Sequence, residues 1–137
     1  MTTLDDPMGL TRGTQPVTMD LLDKMRSKGR AILFATEGSE ELRYLDAQGA
    51  NANVGGETCT HILLREDPRF IEVWEEFLHG TQFRCGLFTD RSMSEGQEAL
   101  EECEEHVKEF MIRHARLIGI CEADVKILQV LRGGSHE

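Results

Sequence analysis

Apolar positions along the chain fall into short blocks, and their spacing sets the expected elements. From Val17 to Lys28, Met19, Leu22 and Met25 recur at helical spacing; Thr18 or its neighbour can cap this helix and Gly29 stops it. Ala31 to Thr36 (AILFAT) is a continuous apolar run that predicts a buried strand. Glu37 to Glu41 reads as a turn and Leu42 to Leu45 as a short strand. Asp46 to Thr58 (DAQGANANVGGET) is small, polar and glycine-rich, which predicts a loop or irregular hairpin. Cys59 to Arg65 (CTHILLR) predicts a second strand with one polar position at His61. Asp67-Pro68 then opens a helix, with Asp as cap and Pro in the first turn, running from Arg69 to Arg84 and ending at Gly86. Ser94 and Gln97 have capping-box spacing for a long helix that reaches Leu117, where Gly119 stops it. Glu122 to Leu131 predicts a last short helix. Helix, strands, then three helices is an α+β order: a small sheet of two to four strands packed on two long helices, with short helices at the N- and C-terminal ends. Residues 1–16 read as a flexible arm, 17–132 as a single globular domain and 133–137 as a tail.

Composition narrows the function classes. The chain has 137 residues, with 25 acidic against 15 basic side chains and a formal net charge of −10. That balance excludes a groove that tracks phosphates by bulk charge, leaves open a nucleic-acid enzyme with a local basic patch, and favours a basic partner. No apolar run approaches the ~18–20 residues that span a bilayer, and the polar N-terminus lacks the apolar core of a secretory signal. The expected location is the cytoplasm of the expressing cell. Cys59, Cys85, Cys103 and Cys121 are scattered, with no C-x-x-C pair, so they predict free thiols and no zinc knuckle. No phosphate-binding glycine loop or G-x-S-x-G nucleophile turn is present.

The candidate chemistry sits in two helical segments. In FIEVWEEFLHGTQ (Phe70 to Gln82), with Ile71 as angular origin, Phe70, Trp74, Phe77, Leu78 and Thr81 fall between about 240° and 340°, the expected core-facing stripe. Gln82, Glu75 and His79 follow at about 20°, 40° and 80°, and Glu76 lies at about 140°. Glu75 and His79, four apart, point the same way one turn apart and can share one metal ion or one proton. They can equally be part of a solvated helix face. In ALEECEEHVKEFMIRH (Ala99 to His114), Cys103, Glu104, Val107, Phe110, Met111 and His114 share a sector with Leu100. Glu104 is therefore the carboxylate expected to face inward, where it needs a cation, a metal or several donors. Glu101, Glu102 and Glu105 read as a solvated face, with Glu105–Lys108 and Glu109–Arg113 as ordinary helix-surface pairs.

ILLREDPRFIEVWEEFLH resembles the part of bacterial polymorphic-toxin C-terminal domains in which a strand, a short loop and a helix lead into an H-E-x-x-H zincin motif. EEFLHGTQFRCG and the later EEHVKEFMIRHARLIGI resemble related toxin-tip domains, so that the likeness spans residues 31–131. The chain departs from the motif at its first position, where Glu75 replaces His. The resemblance implies Glu75 and His79 as ligands, Glu76 as general base and a third ligand on the next helix. Glu104 matches that ligand in spacing and orientation, with Glu101 and Glu105 close by. It implies a divalent ion (Zn, Mn or Fe), hydrolysis of a protein or other macromolecular substrate, delivery into a target cell as part of a larger protein, and a cognate immunity protein. Gln82, His106 and Arg113 are the expected substrate contacts. A metal-free toxin enzyme using Glu75 and His79 as an acid/base pair on RNA or a nucleotide cofactor is the first alternative. An acidic, non-catalytic immunity or adaptor protein is the second.

Overall fold

The computed structural model describes residues 10–55, 60–85 and 97–133. The fold is α+β, with six α-helices, a short 3-10 helix at Leu10–Gly13 and one three-stranded mixed sheet among the described residues. Helix α1 (Met19–Ser27) begins where Thr18 Oγ1 accepts the Leu21 N–H at 3.2 Å, and it buries Leu21, Leu22 and Met25. Strands β1 (Ala31–Ala35), β2 (Ala52–Gly55) and β3 (His61–Arg65) form the sheet in the order β1-β3-β2. β1 runs parallel to β3 in the register Leu33–Leu63, and β2 runs antiparallel with Val54 opposite Ile62.

Two local expectations fail between β1 and β3. The predicted turn and strand over 37–45 is helix α2 (Glu40–Gln48), capped by Ser39 Oγ, which accepts the Leu42 N–H at 3.1 Å. Gly49 ends this helix at φ +64°, a conformation that needs no Cβ. Over 46–58, expected as a loop or irregular hairpin, the loop form fails: β2 pairs antiparallel with β3, and its Ala52, Asn53 and Val54 are all buried. Small residues are selected there because α3 lies directly on this strand. The predicted buried run AILFAT is a strand, but it lies at the sheet edge with Leu33 and Phe34 exposed. The N-terminal segment docks earlier than an arm ending at residue 16 would. Pro16 bridges to Arg69, the Phe70 N–H donates to the Gln15 carbonyl at 2.9 Å, and the Gln15 N–H donates to Asp124 at 3.0 Å.

Helix α3 (Phe70–Arg84) carries the candidate motif, and its cap differs from the Asp67 expected. Arg69 is the N-cap residue, and the Glu72 carboxylate reaches back to accept its N–H at 2.9 Å. Arg69 itself pairs with Asp67 at 2.7 Å. Helix α4 (Gln97–Arg113) runs against α3. The predicted Ser94 cap lies outside the described residues. The single long helix to Leu117 breaks at His114, after which a four-residue helix α5 (Ala115–Ile118) ends at Gly119, φ +99°. α6 (Glu122–Gly133) packs back on α4. The main core joins Leu22 and Met25, Ile62 and Leu64, Ile71 and Val73, Val107 and Met111, and Leu128. Among the described residues no helix is long and apolar enough to cross a membrane.

Leu128, fully buried, is the main anchor of α6. Leu128→Ala is expected to cost about 2–5 kcal/mol in urea unfolding. A cost below about 1 kcal/mol, well under that of a buried leucine, contradicts the docking of α6 on the core.

Candidate metal centre

The inward face of α3 is its polar face. Glu72, Glu75, Glu76, His79 and Gln82 are all buried, whereas Trp74, Phe77 and Leu78 are only partly so. The buried arc therefore spans about 0–200° from Ile71 and includes Val73 and Gly80, while of the stripe expected in the core only Phe70 is buried and Trp74, Phe77 and Leu78 form a partly exposed flank. Trp74 and Phe77 stack edge to face there, with ring centroids 5.7 Å apart. Glu72 is accounted for by the cap and by the Thr11 hydroxyl, which donates to it at 3.2 Å. Of the other four, Glu75 meets Lys108, His79 meets Glu104 and Gln82 meets Cys103 and His106 on α4.

Glu75, His79 and Glu104 can hold a metal ion. Each offers one ligand atom, and these atoms lie within 4.8 Å of one another. Three donors on one ion about 2.1 Å away stand about 3.4 Å apart in a tetrahedral sphere, so a small rotamer contraction closes the site. His79 Nε2 lies 3.2 Å from Glu104 Oε2. Glu104 Oε1 is buried and accepts no hydrogen bond, an acceptor without a donor in a dry interior. Among the described side chains of α4, Glu104 is the carboxylate that reaches the centre, and Glu105 is only partly buried.

Lys108 is the residue that sequence reasoning missed. It was expected on the surface beside Glu105, yet it is fully buried, with Nζ 3.2 Å from Glu104 Oε2 and 3.4 Å from Glu75 Oε2. The signal was available: with Leu100 as origin, Glu104 and Lys108 fall at about 40° and 80°, both inside the inward sector. At full ionisation, Glu75, Glu76 and Glu104 oppose one ammonium and one imidazolium, leaving an excess negative charge in the interior.

Burial pulls the His79 imidazole down, but the hydrogen bond and charge of Glu104, the charge of Glu76 and the hydrogen bond to Gln82 outweigh it and bring its pKa up to about 9. Burial likewise pushes the Glu104 carboxyl up, and His79 and then Lys108 reverse this, holding it below the usual carboxylate range. The neighbouring Cys103 thiol is pushed up to about 11, first by burial and then by Glu104 and Glu102, so it is a poor nucleophile.

Gln82, expected as a substrate contact, is a positioning residue. The Cys103 carbonyl can only accept, so the Gln82 amide nitrogen 3.2 Å away must donate to it. That orientation turns Oε1 to His79 Nδ1 at 3.0 Å, and Nδ1 must carry a hydrogen. A neutral His79 therefore presents the Nε2 lone pair to Glu104 and Glu75, the tautomer a metal ligand needs. The second amide hydrogen of Gln82 reaches His106 Nδ1 at 2.8 Å. His106 is exposed and, with Leu78, Thr81, Gln82, Cys85, Val107 and Phe110, lines a largely apolar cleft of about 270 Å³ between α3 and α4. Arg113 is not brought to the centre. It is exposed, lies 3.8 Å from Glu109, and lines a separate cleft with His114, Arg116 and Leu117. His106 and Arg113, both expected as substrate contacts, thus line separate clefts. Arg65, which brackets the loop before α3, is held by the Ala50 carbonyl at 2.8 Å and by Asp46 at 2.8 Å. No family model, curated protein or solved structure matches this chain.

Because the folded pKa of His79 is raised, its stabilising charge is fully present below about 6.5, its unfolded value, and is lost as pH rises through about 9. Urea midpoints of metal-free protein are expected to fall between pH 6.5 and 10, and His79→Gln is expected to flatten that fall. Equal slopes in the two proteins contradict a charged His79.

Proposed function

We propose that this chain is a toxin effector domain that acts as a metal-dependent hydrolase, peptidase-like in its motif, with its site between α3 and α4. The observation that carries the reading is the buried Glu75–His79–Glu104 cluster, which has ligand atoms within 4.8 Å of one another and a Glu104 oxygen that lacks a donor. Two carboxylates and one imidazole make a harder donor set than the two imidazoles of H-E-x-x-H, which shifts preference from Zn towards Mn or Fe. When bound, the ion supplies Lewis-acid polarisation of the substrate oxygen under attack. Gln82 keeps the His79 Nε2 lone pair aimed at the cluster, and Glu75 and Glu104 supply the negative charge that retains a divalent cation. Glu76, buried beside Glu75 and close enough for its charge to act on His79, takes the proton of the attacking water and returns it to the leaving group. The apolar cleft lined by Gln82 and His106 does not itself expose Glu75, Glu76, His79 or Glu104, so substrate entering there reaches the ion only when α3 and α4 part. An immunity partner would close the mouth of that cleft, because Glu75 and His79 themselves have no exposed surface.

A second reading rests on Lys108. Its ammonium bonds to both ligand carboxylates, so the cluster already has an internal cation. On that reading Glu75 and His79 form a metal-free acid/base pair acting on RNA or a nucleotide cofactor. Alternatively, the cluster is structural and the chain is an acidic immunity or adaptor protein. The complete burial of Glu75, Glu76 and His79 favours the structural version, since a reacting site needs solvent access.

Expression in a bacterial host separates these readings. The parent is expected to arrest growth with protein degraded, and Glu76→Gln is expected to lower hydrolysis about 10²–10⁴-fold and restore growth. His79→Ala is expected to do the same at equal soluble expression. RNA loss in place of proteolysis points to the metal-free enzyme, and normal growth with well-expressed parent contradicts a toxin.

A further inference from the structure

The proposed hydrolase leaves Lys108 without a role, although it is the largest of the fully buried side chains. An ammonium in the interior must be matched by negative charge, and this one sits on the Oε2 atoms of the two carboxylates assigned to the ion. Two consequences are possible when a divalent cation arrives. Either the ammonium was holding the ion's place and must leave, or it stays and the ion enters beside it.

Geometry and charge favour the second. Lys108 engages Oε2 of Glu75 and shares Oε2 of Glu104 with His79 Nε2, while Glu104 Oε1 remains buried with no donor and can turn to an ion. The charges agree with this choice. A divalent ion binds neutral His79, so three carboxylates then face one ammonium and two charges from the metal, and the buried cluster is neutral. Expelling Lys108 would leave the same cluster with one uncompensated negative charge. It would also draw the side chain out from between two helices that are packed together.

Resting on the metal-site reading above, we infer that Lys108 is a positioning residue of the ion site. It stays in place on metal binding, fixes one oxygen of each ligand carboxylate and matches the site's charge to a divalent cation. It works as the hydrogen-bonded partners of metal-ligating carboxylates do, by holding each ligand in one orientation. The inward carboxylates then need only a small rotamer contraction when the ion enters.

The test is zinc titration of metal-stripped full-length protein, comparing the parent with Lys108→Met and Lys108→Arg, and checking the fold of each by circular dichroism. Lys108→Met is expected to weaken zinc binding about 10–100-fold, and Lys108→Arg to recover part of the loss. Zinc binding by Lys108→Met as tight as the parent, or tighter, overturns the inference and makes Lys108 a competing internal cation. A measurement on the parent alone covers a variant that fails to fold. Amine acetylation read by mass spectrometry should modify the exposed Lys24, Lys28 and Lys126, and should spare Lys108 both before and after zinc is added. Labelling of Lys108 only in the zinc-loaded protein shows that the ion expels it and overturns the inference. A parent that binds none of Zn, Mn or Fe overturns the metal-site reading together with this one, whereas ion binding with Lys108 expelled overturns this one alone.

Discussion

Three carboxylates, an ammonium and an imidazole share a volume between α3 and α4 from which water is excluded, and each holds its place only because the others are there. Removing one partner from such a set leaves an uncompensated buried charge and costs about 3–5 kcal/mol, a large part of the total stability of a domain this size. An apolar set of the same volume would pack at least as stably, so burying these groups is weak evidence for a stabilising purpose and stronger evidence for a use. The cluster also explains the orientation of α3. A helix with Trp74, Phe77 and Leu78 along one side would ordinarily turn that side inward; here Glu75, Glu76 and His79 are deeper than the aromatic flank.

The sheet serves this arrangement. β2 and β3 lie under α3, and the small, buried Ala52 and Asn53 let the helix come close. The Glu72 carboxylate, which caps α3 and accepts from Thr11, fixes the helix start and its rotation about its own axis. Gln82, one helical turn beyond His79, is held by the α4 backbone at Cys103. Start, sheet face and far end are thus each tied down, and the ligand atoms inherit that rigidity.

Strong periodicity made part of this legible in the chain. The extents of α1, β1, α3 and α6 follow from apolar spacing and stop residues, and the i, i+4 pair Glu75–His79 with inward Glu104 follows from helical angle alone. What could not be read was decided by tertiary contact. α2 looks like a turn because Glu40 and Glu41 precede few apolar residues, yet Ser39 caps it and Leu45 anchors it. β2 looks like a loop because small residues lack strand propensity, and only the helix above it explains them. Hydrophobic patterning places the polar face of α3 too shallow because it assumes that apolar groups lie innermost, and a set of partly paired charges reverses that order. Lys108 was misplaced for a related reason. Its position on the helical wheel is inward, but a lysine is almost never fully buried unless paired, and its partners lie 33 and 4 residues away.

The reading of this centre as an ion site stands on the buried donor set. Metal analysis of the purified chain, supplemented with Zn, Mn or Fe and compared with His79→Ala, tests it most directly. About one ion per chain in the parent, lost in the folded variant, is the predicted result, since one closed three-ligand site holds one ion. A folded parent that retains no ion under any of the three supplements contradicts the account and returns the cluster to Lys108 and the carboxylates alone.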